Sequence, residues 1–149
     1  MAVAAALAAP AEVAADDEPA VEPPATVTFT KREKKGGVTE QALISCQVSI
    51  DYPHRSTHNP GRANVVSRIS CSHFMSSLSL ETKLWRAGYV VGTGFHSITG
   101  WFALNGNASA PCLSASYQGS AFARVVAPPG YTPSIGTTTV WSPVRWVTC

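Results

Sequence analysis

LISCQVSIDY, residues 43–52, carries the strongest structural signal in the chain. Apolar and polar positions alternate along it, which is the period of a β-strand with one buried face. The residues on the apolar face are Ile44, Cys46, Val48 and Ile50. Pro53 follows, and proline ends a central strand because it has no backbone N–H to donate. The segment therefore predicts a β domain with a cysteine on its inner face.

The remainder of the chain after residue 52 repeats this signal. Ala63–Ser72 is predicted as a second strand, and Leu78–Trp85 as a third with alternate apolar positions. Ala87-Gly88 breaks the third strand. Gly92–Pro111 is rich in Gly, Asn and Ser and is predicted as a long loop that could contain short strands around Ile98–Leu104. Cys112–Ala127 and Val140–Cys149 supply the last strands. Since residues 43–149 contain no long segment of helical period, we expect an all-β fold, a small sandwich or barrel.

Four cysteines fall in this region, and their even number predicts two disulfides in an oxidising compartment. No CxxC pair occurs, so their spacing does not indicate a zinc site. Four cysteines allow three pairings. We favour the sequential pairing, Cys46 with Cys71 and Cys112 with Cys149, because it ties down the chain terminus.

Charge divides the chain into two parts. Residues 1–42 carry four basic and seven acidic side chains, a net charge of −3, whereas residues 43–149 carry seven basic and two acidic ones, a net charge of +5. We predict a signal-peptide remnant over residues 1–15, with an Ala-rich terminus as the alternative. Residues 16–42 are predicted as a disordered or extended arm and residues 43–149 as the disulfide-stapled β domain.

These features predict a secreted, extracellular protein. No segment approaches the ~20 apolar residues of a membrane-spanning helix, so we expect no membrane insertion. The arginines are scattered rather than clustered, which argues against a nucleic-acid partner.

Within the arm, ATVTFT (residues 25–30) alternates like a strand and is followed by the charged KREKKGG (residues 31–37). Such a segment suits strand addition to another protein. A first strand of this domain, or a linker, are the alternatives. For strand addition, the expected partner-binding residues are Val27, Phe29, Lys31 and Arg32.

Catalytic chemistry has few residues to draw on. Asp51 and Glu81 are the only carboxylates after residue 42, and no GxSxG nucleophile turn occurs. His54 and His58 could bind a metal with His73 or Asp51, but histidines in a turn are more often solvated. We therefore predict a protein that is not an enzyme, with no catalytic residues, no metal and no cofactor.

Aromatic side chains beside turn-forming residues are the common anchors of protein interfaces. We expect Trp85 and Trp146, on predicted strands, to be in the core. The candidates for a partner-binding loop are Phe95, His96, Trp101, Phe102 and Tyr131.

Several short motifs occur together from Leu43 to Cys149: ISCQV (residues 44–48), YPH (52–54), NPG (59–61), ISCS (69–72), LWRAG (84–88), PC (111–112), YQGSA (117–121) and PPGYTP (128–133). This set resembles the adaptor subunit of the umbrella toxin particles of Streptomyces, a family of small secreted β-rich proteins. The resemblance implies a non-enzymatic adaptor in an antibacterial toxin complex. Its expected partners are a repeat-containing toxin stalk and a lectin subunit that recognises the target cell.

By the same resemblance, the N-terminal extension, carried over as Thr26–Lys35, would engage the helical repeats of the stalk. An exposed loop would enter a cleft of the lectin. We place that loop at Gly92–Gly106, with Pro129–Gly136 as the second choice. The alternative function is a stand-alone secreted carbohydrate-binding or inhibitor module.

Overall fold

The structure is a computed structural model that describes residues 22–149, and the described part is built from β-strands without a helix. It therefore includes no helix that could span a membrane. The segments expected to be a signal-peptide remnant and the first residues of an arm, 1–21, lie outside the described residues. The strands are β1 (Ala25–Lys35), β2 (Val38–Ile50), β3 (His54–Arg55), β4 (Arg62–Arg86), β5 (Tyr89–Pro111), β6 (Ala115–Val126), β7 (Ile135–Trp141) and β8 (Arg145–Val147).

All strand pairs are antiparallel and form one sheet that curls into a half-barrel. The main path runs β1-β2-β4-β6-β7, while β3 and β5 pair with β4 and β8 pairs with β6. The long strand β4 organises this sheet. Its first half lies between β2 and β5, and its second half lies between β6 and β5. The prediction of an all-β, disulfide-stapled fold is confirmed.

A bulge bends the β4–β5 hairpin in its middle. Residues Cys71–Phe74 of β4 lie opposite only Phe102 of β5, and Gly100 has a φ of +62°. A bulge of this kind kinks the strand that carries it and increases its twist. The two halves of β4 therefore face each other across the core, where the hydroxyls of Ser67 and Thr82 are 2.8 Å apart and share a buried hydrogen bond.

The two halves of β5 also approach each other and close one side of the half-barrel. Gly92 and Gly94 pack against the backbone of Ser109 and Asn107, so closely that a Cβ at either glycine would overlap a carbonyl group. The prediction of a loop over Gly92–Pro111 is therefore wrong. The segment belongs to β5, and Gly92 and Gly94 allow close backbone packing rather than turns.

The core follows the alternation seen in the sequence. The inner faces predicted for β2 and for the second half of β4 are buried, as are inward residues of β1, of β6 and of the first half of β4. The largest fully buried side chains are Phe29, Ile44, Ile69, Met75, Leu78, Leu80, Leu84 and Tyr117. Each fully buried aliphatic or aromatic side chain stabilises the fold by roughly 1.5–3 kcal/mol. This burial pins the register of each strand, because a shift of one residue would turn its apolar face outward.

Both disulfides have the sequential pairing. Cys46 and Cys71 are register partners on β2 and β4, and Cys112 is linked to the terminal Cys149. In the chain-entropy account, closing loops with sequence separations of 25 and 37 residues stabilises the fold by about 3–4 kcal/mol each.

The expected arm over residues 16–42 differs from the structure from residue 25 onward. Ala25–Lys35 pairs along its whole length with β2, and Phe29 is fully buried. Gly36 and Gly37 have φ values of +56° and +82°, which is the conformation of a tight two-residue hairpin turn. The alternative of a first strand is what the structure shows, because the Gly-Gly pair folds the strand back onto β2.

Candidate functional site

Three exposed aromatic rings cluster where β4 and β5 bend; we call Phe74, Trp101 and Phe102 the bend patch. The ring centroid of Phe74 is 5.5 Å from that of Trp101 and 5.7 Å from that of Phe102, and the latter two are 4.9 Å apart. The His73 ring meets Phe74 edge-on at 6.1 Å. Phe74, Trp101 and Phe102 are 51%, 45% and 38% exposed, so the molecule presents a preassembled apolar surface.

The bulge explains how this cluster forms. Successive side chains of a regular strand point to opposite faces, which would separate Trp101 from Phe102. The left-handed backbone at Gly100 and the bulge in β4 break that alternation, so both rings lie beside Phe74. Cys71 begins the bulge and is bonded to Cys46, so the disulfide clamps its base.

The sequence identified Trp101 and Phe102 as candidates for partner binding but not Phe74, and His73 was considered only as a metal ligand. These two residues lie in the segment CSHFMSS, which has no turn-forming Gly, Pro or Asn. Their position becomes special only through the register shift against β5, a long-range feature. The signal that could have identified Phe74 is its position as the one aromatic ring of the Phe, Tyr or Trp type in this Ser-rich segment.

The tip of the β1–β2 hairpin is mostly exposed; we call Lys31–Ala42 the hairpin extension. Of the residues expected to bind a partner here, Phe29 is fully buried and Val27 packs against the core, so both face the domain itself. Arg32 is exposed, and Lys31 is half-buried with its Nζ 3.6 Å from a carboxylate oxygen of Glu33.

Tyr131 joins this extension to the turn after β6. Backbone hydrogen bonds in both directions, 2.9 and 2.7 Å long, connect Thr30 with Thr132. They place the Tyr131 ring 5.6 Å from the Lys31 ammonium, a cation–π arrangement. Residues predicted in two separate surfaces, the arm and the loop, therefore meet at the base of one hairpin.

Phe95 and His96 lie elsewhere. Phe95 is exposed beside Glu81, about 20 Å along β5 from Trp101 at the usual rise per residue. His96 is half-buried, and its Nδ1 has no hydrogen-bond partner within residues 22–149. The structure thus separates the five predicted loop residues into three places.

Phe95 belongs to a second aromatic surface, the outer face formed by β5, β4, β6 and β7; we call Phe95, Phe122, Trp141 and Trp85 the outer aromatic face. A shallow groove of about 260 Å³ crosses it, lined by Glu81 and Lys83 as well as three of the rings. Trp85 is held by a 2.9 Å hydrogen bond from its Nε1 to Ser120 and lies 5.5 Å from Trp141. Trp85 is therefore only partly buried, which differs from its expected core position.

Four further exposed side chains lie on segments at the other end of the sheet, where β4 turns into β5; we call Tyr89, Leu113, Val144 and Trp146 the turn-end patch. All four side chains are exposed, so the expectation that Trp146 is in the core is wrong. Trp146 lies on β8, an edge strand of three residues that is separated from β7 by a short loop. The hydroxyl of buried Tyr117 bonds both the N–H and the C=O of Leu113 and fixes that segment.

The residues considered for catalysis or metal binding come together only in part. Asp51 lines a groove with His54, whereas Glu81 lines the groove on the outer aromatic face. Across the described range 22–149, no cluster of three His, Cys, Asp or Glu side chains could hold a metal ion. All four cysteines are in disulfides.

The chain matches no protein-family model, and no curated protein or solved structure matches it.

Proposed function

We propose that this chain is a secreted, non-enzymatic adaptor that holds two protein partners at opposite ends of its sheet. One partner binds at the bend, through the bend patch and the hairpin extension. The other binds the turn-end patch. The observation that carries the proposal is that exposed aromatic side chains lie at both ends of the folded sheet: three clustered rings at the bend, and Tyr89 and Trp146 at the turn end.

The dimensions of the sheet support this arrangement. Tyr89 is the first residue of β5 and Trp101 lies at its bend, about 40 Å further along the strand at ~3.3 Å per residue. Standard protein interfaces bury about 800 Å² per partner, so two partners fit at this separation without overlapping. Exposed aromatic side chains are typical interface anchors because they bury a large area and lose little side-chain entropy.

Rigidity supports it as well. Each end is fixed by one disulfide: Cys46–Cys71 at the base of the bulge and Cys112–Cys149 beside β8. A preorganised surface loses less conformational entropy on binding, so affinity per contact is higher. Two disulfides also agree with the secreted, extracellular location that we propose.

In the toxin particle that the sequence resemblance implies, the bend end would take the repeat-containing stalk and the turn end the lectin subunit. This assignment differs from the expected lectin-binding loop, because Trp101 and Phe102 lie at the same end of the sheet as the hairpin extension. The hairpin extension is the part of the resembling N-terminal segment that is exposed, because Val27 and Phe29 pack inward. Its exposed Arg32 and Lys34 suit an acidic surface on the stalk.

The test is affinity purification of the tagged protein from culture supernatant, with three variants run beside the native chain. Phe74→Ala/Trp101→Ala removes the bend patch, Tyr89→Ala/Trp146→Ala removes the turn-end patch, and Thr137→Ala is the matched control on exposed β7. We expect each double variant to lose one captured protein and keep the other. Capture of a single partner, or loss of both partners from either double variant, contradicts the adaptor.

The outer aromatic face favours a second candidate function, a carbohydrate-binding module. Exposed rings beside Glu81 and Lys83 provide stacking faces and polar groups in one groove, the usual composition of a small-molecule site. The test is co-sedimentation with insoluble chitin and cellulose. Binding that Phe122→Ala/Trp141→Ala abolishes, and the turn-end variant leaves intact, supports this function; no retention on either polymer rules it out.

A further inference from the structure

A polar pocket at the turn end of the molecule is distinct from all three aromatic surfaces. It encloses about 480 Å³, which falls in the range of ligand sites, and its walls come from the loop after β2, from β3 and from β8. The lining residues are Asp51, Tyr52, His54, Arg55, Thr57 and Arg145. Two guanidinium groups thus share one pocket with a single carboxylate.

Arg145 is held in place from several sides. Its guanidinium lies 4.3 Å over the Tyr52 ring, and one terminal nitrogen donates to the carbonyl oxygen of Pro53 at 3.5 Å. Arg145 begins β8, whose position depends on the nearby crosslink of Cys149 and on a 2.8 Å hydrogen bond from the Cys149 N–H to Ser114. The disulfide therefore also positions a pocket arginine.

Arg55 is fixed on the opposite wall. Its Nε donates to the carbonyl oxygen of Pro60 at 2.8 Å, and its strand β3 pairs with β4. The remainder of this loop is closed by hydrogen bonds among Ser56, Asn59 and Arg62, each 2.8–3.1 Å long. Arg55 is exposed, and within residues 22–149 it makes no ion pair. The two terminal nitrogens of Arg55 can therefore donate hydrogen bonds to a ligand in the pocket.

The chemistry of these donors selects a ligand class. A guanidinium presents paired N–H groups in a fixed fork that matches the oxygens of a phosphate group. Thr57 adds a hydroxyl and His54 an imidazole to the same lining. Two arginines against Asp51 leave a positive charge in the pocket, so electrostatic attraction favours an anion.

We propose that this pocket binds a phosphate group, either as the free ion or as a phosphate ester on a larger molecule. Arg55 and Arg145 bind the phosphate oxygens from two sides, and Asp51 limits the affinity by repulsion. The site does not depend on the proposed adaptor function, since none of its residues belongs to the bend patch or the turn-end patch.

The experiment is a titration of the isotope-labelled full chain with inorganic phosphate and, separately, with glycerol 3-phosphate, followed by amide NMR shifts. Saturable shifts are expected for the amides of Asp51, Tyr52, His54–Thr57 and Arg145. Tighter binding of glycerol 3-phosphate identifies an ester as the preferred ligand, and equal affinity identifies the phosphate group alone. Both results support the site, whereas no saturable shift with either probe overturns it.

Variants separate specific binding from general attraction to a basic protein. Arg55→Gln should weaken binding about tenfold or more, because it removes charge-assisted hydrogen bonds. Arg145→Gln should do the same, and the Trp146 amide reports whether β8 stays folded. Arg124→Gln, on the exposed face of β6, is the matched charge control and should leave the affinity unchanged. Asp51→Asn should tighten binding by about threefold. Equal weakening by Arg124→Gln and Arg55→Gln overturns the proposal.

Discussion

The bend end and the turn end both expose aromatic rings, yet they are built differently. At the bend, the rings sit on the two longest strands, and the disulfide there joins residues that already pair in register with both sulfurs buried. At the turn end, β8 contributes only three ladder pairs, and the Cys112–Cys149 bond ties down the terminus beside it. The bend is therefore fixed by the fold as a whole, whereas the turn end depends on its crosslink.

This difference shows how a small domain can hold two surfaces rigid by separate means. Pairing and burial fix the bend cooperatively, so it should open only with global unfolding. The turn end carries short, exposed elements that would fray without a covalent link. Three experiments sharpen or break this comparison.

The largest expected effect comes from removing each disulfide in turn. Cys46→Ala/Cys71→Ala should lower the free energy of unfolding by about 3–5 kcal/mol, because both the loop constraint and buried side-chain volume are lost. Cys112→Ser/Cys149→Ser should remove the hydrogen-exchange protection of the Val147 amide before the domain unfolds. Urea denaturation and amide exchange measure the two effects.

The control for both variants is the native chain under reducing conditions. Reduction of both disulfides should lower the free energy of unfolding and also remove the protection of the Val147 amide. The comparison breaks if the Cys112→Ser/Cys149→Ser variant keeps the Val147 amide protected, since β8 would then need no crosslink.

A medium effect is expected midway between the ends, where Ser67 and Thr82 share their buried hydrogen bond. Ser67→Ala or Thr82→Val alone should cost about 1–3 kcal/mol, because one hydroxyl is left unsatisfied in the core. The double variant should cost less than the sum of the two, and thermal unfolding of all four proteins forms the cycle. Additive losses would show that the hydroxyls do not stabilise each other.

The smallest effect on stability is expected for the exposed aromatics themselves. Trp101→Ala and Trp146→Ala should each change the free energy of unfolding by less than about 1 kcal/mol, since both side chains are exposed and lie outside the core. Phe29→Ala, in the core, is the contrast and should cost about 3–5 kcal/mol. A loss as large as that of Phe29→Ala at either tryptophan would mean that the surface is structural.

Much of the fold could be predicted from local patterns. The inner faces of β2 and of the second half of β4, the turn at Ala87-Gly88 and the disulfide pairing all follow from period, turn chemistry and cysteine position. The failures share one cause. Glycines in Gly92–Pro111 indicate a loop when read locally, but two of them are required by backbone packing against residues far along the chain.

The candidate sites were predictable only in part. Trp101 and Phe102 were identified by their neighbours in sequence, whereas Phe74 joins them through a register shift that no local pattern encodes. Val27 and Phe29 were assigned to a partner because the isolated segment showed no strand to pair with. The Gly-Gly turn folds β1 back onto β2, so the side chains of Val27 and Phe29 pack within the domain itself.

By itself, the sequence determined the strand period, the crosslinked all-β class and the scarcity of carboxylates after residue 42, because these depend on residue type and on spacing along one segment. Only the tertiary structure decided that β4 and β5 bend back over the core, that three aromatic rings gather at the bend, and that Arg55 and Arg145 share a pocket. These features depend on which distant segments pair and in what register. That choice is made by burying the apolar faces of all the strands at once.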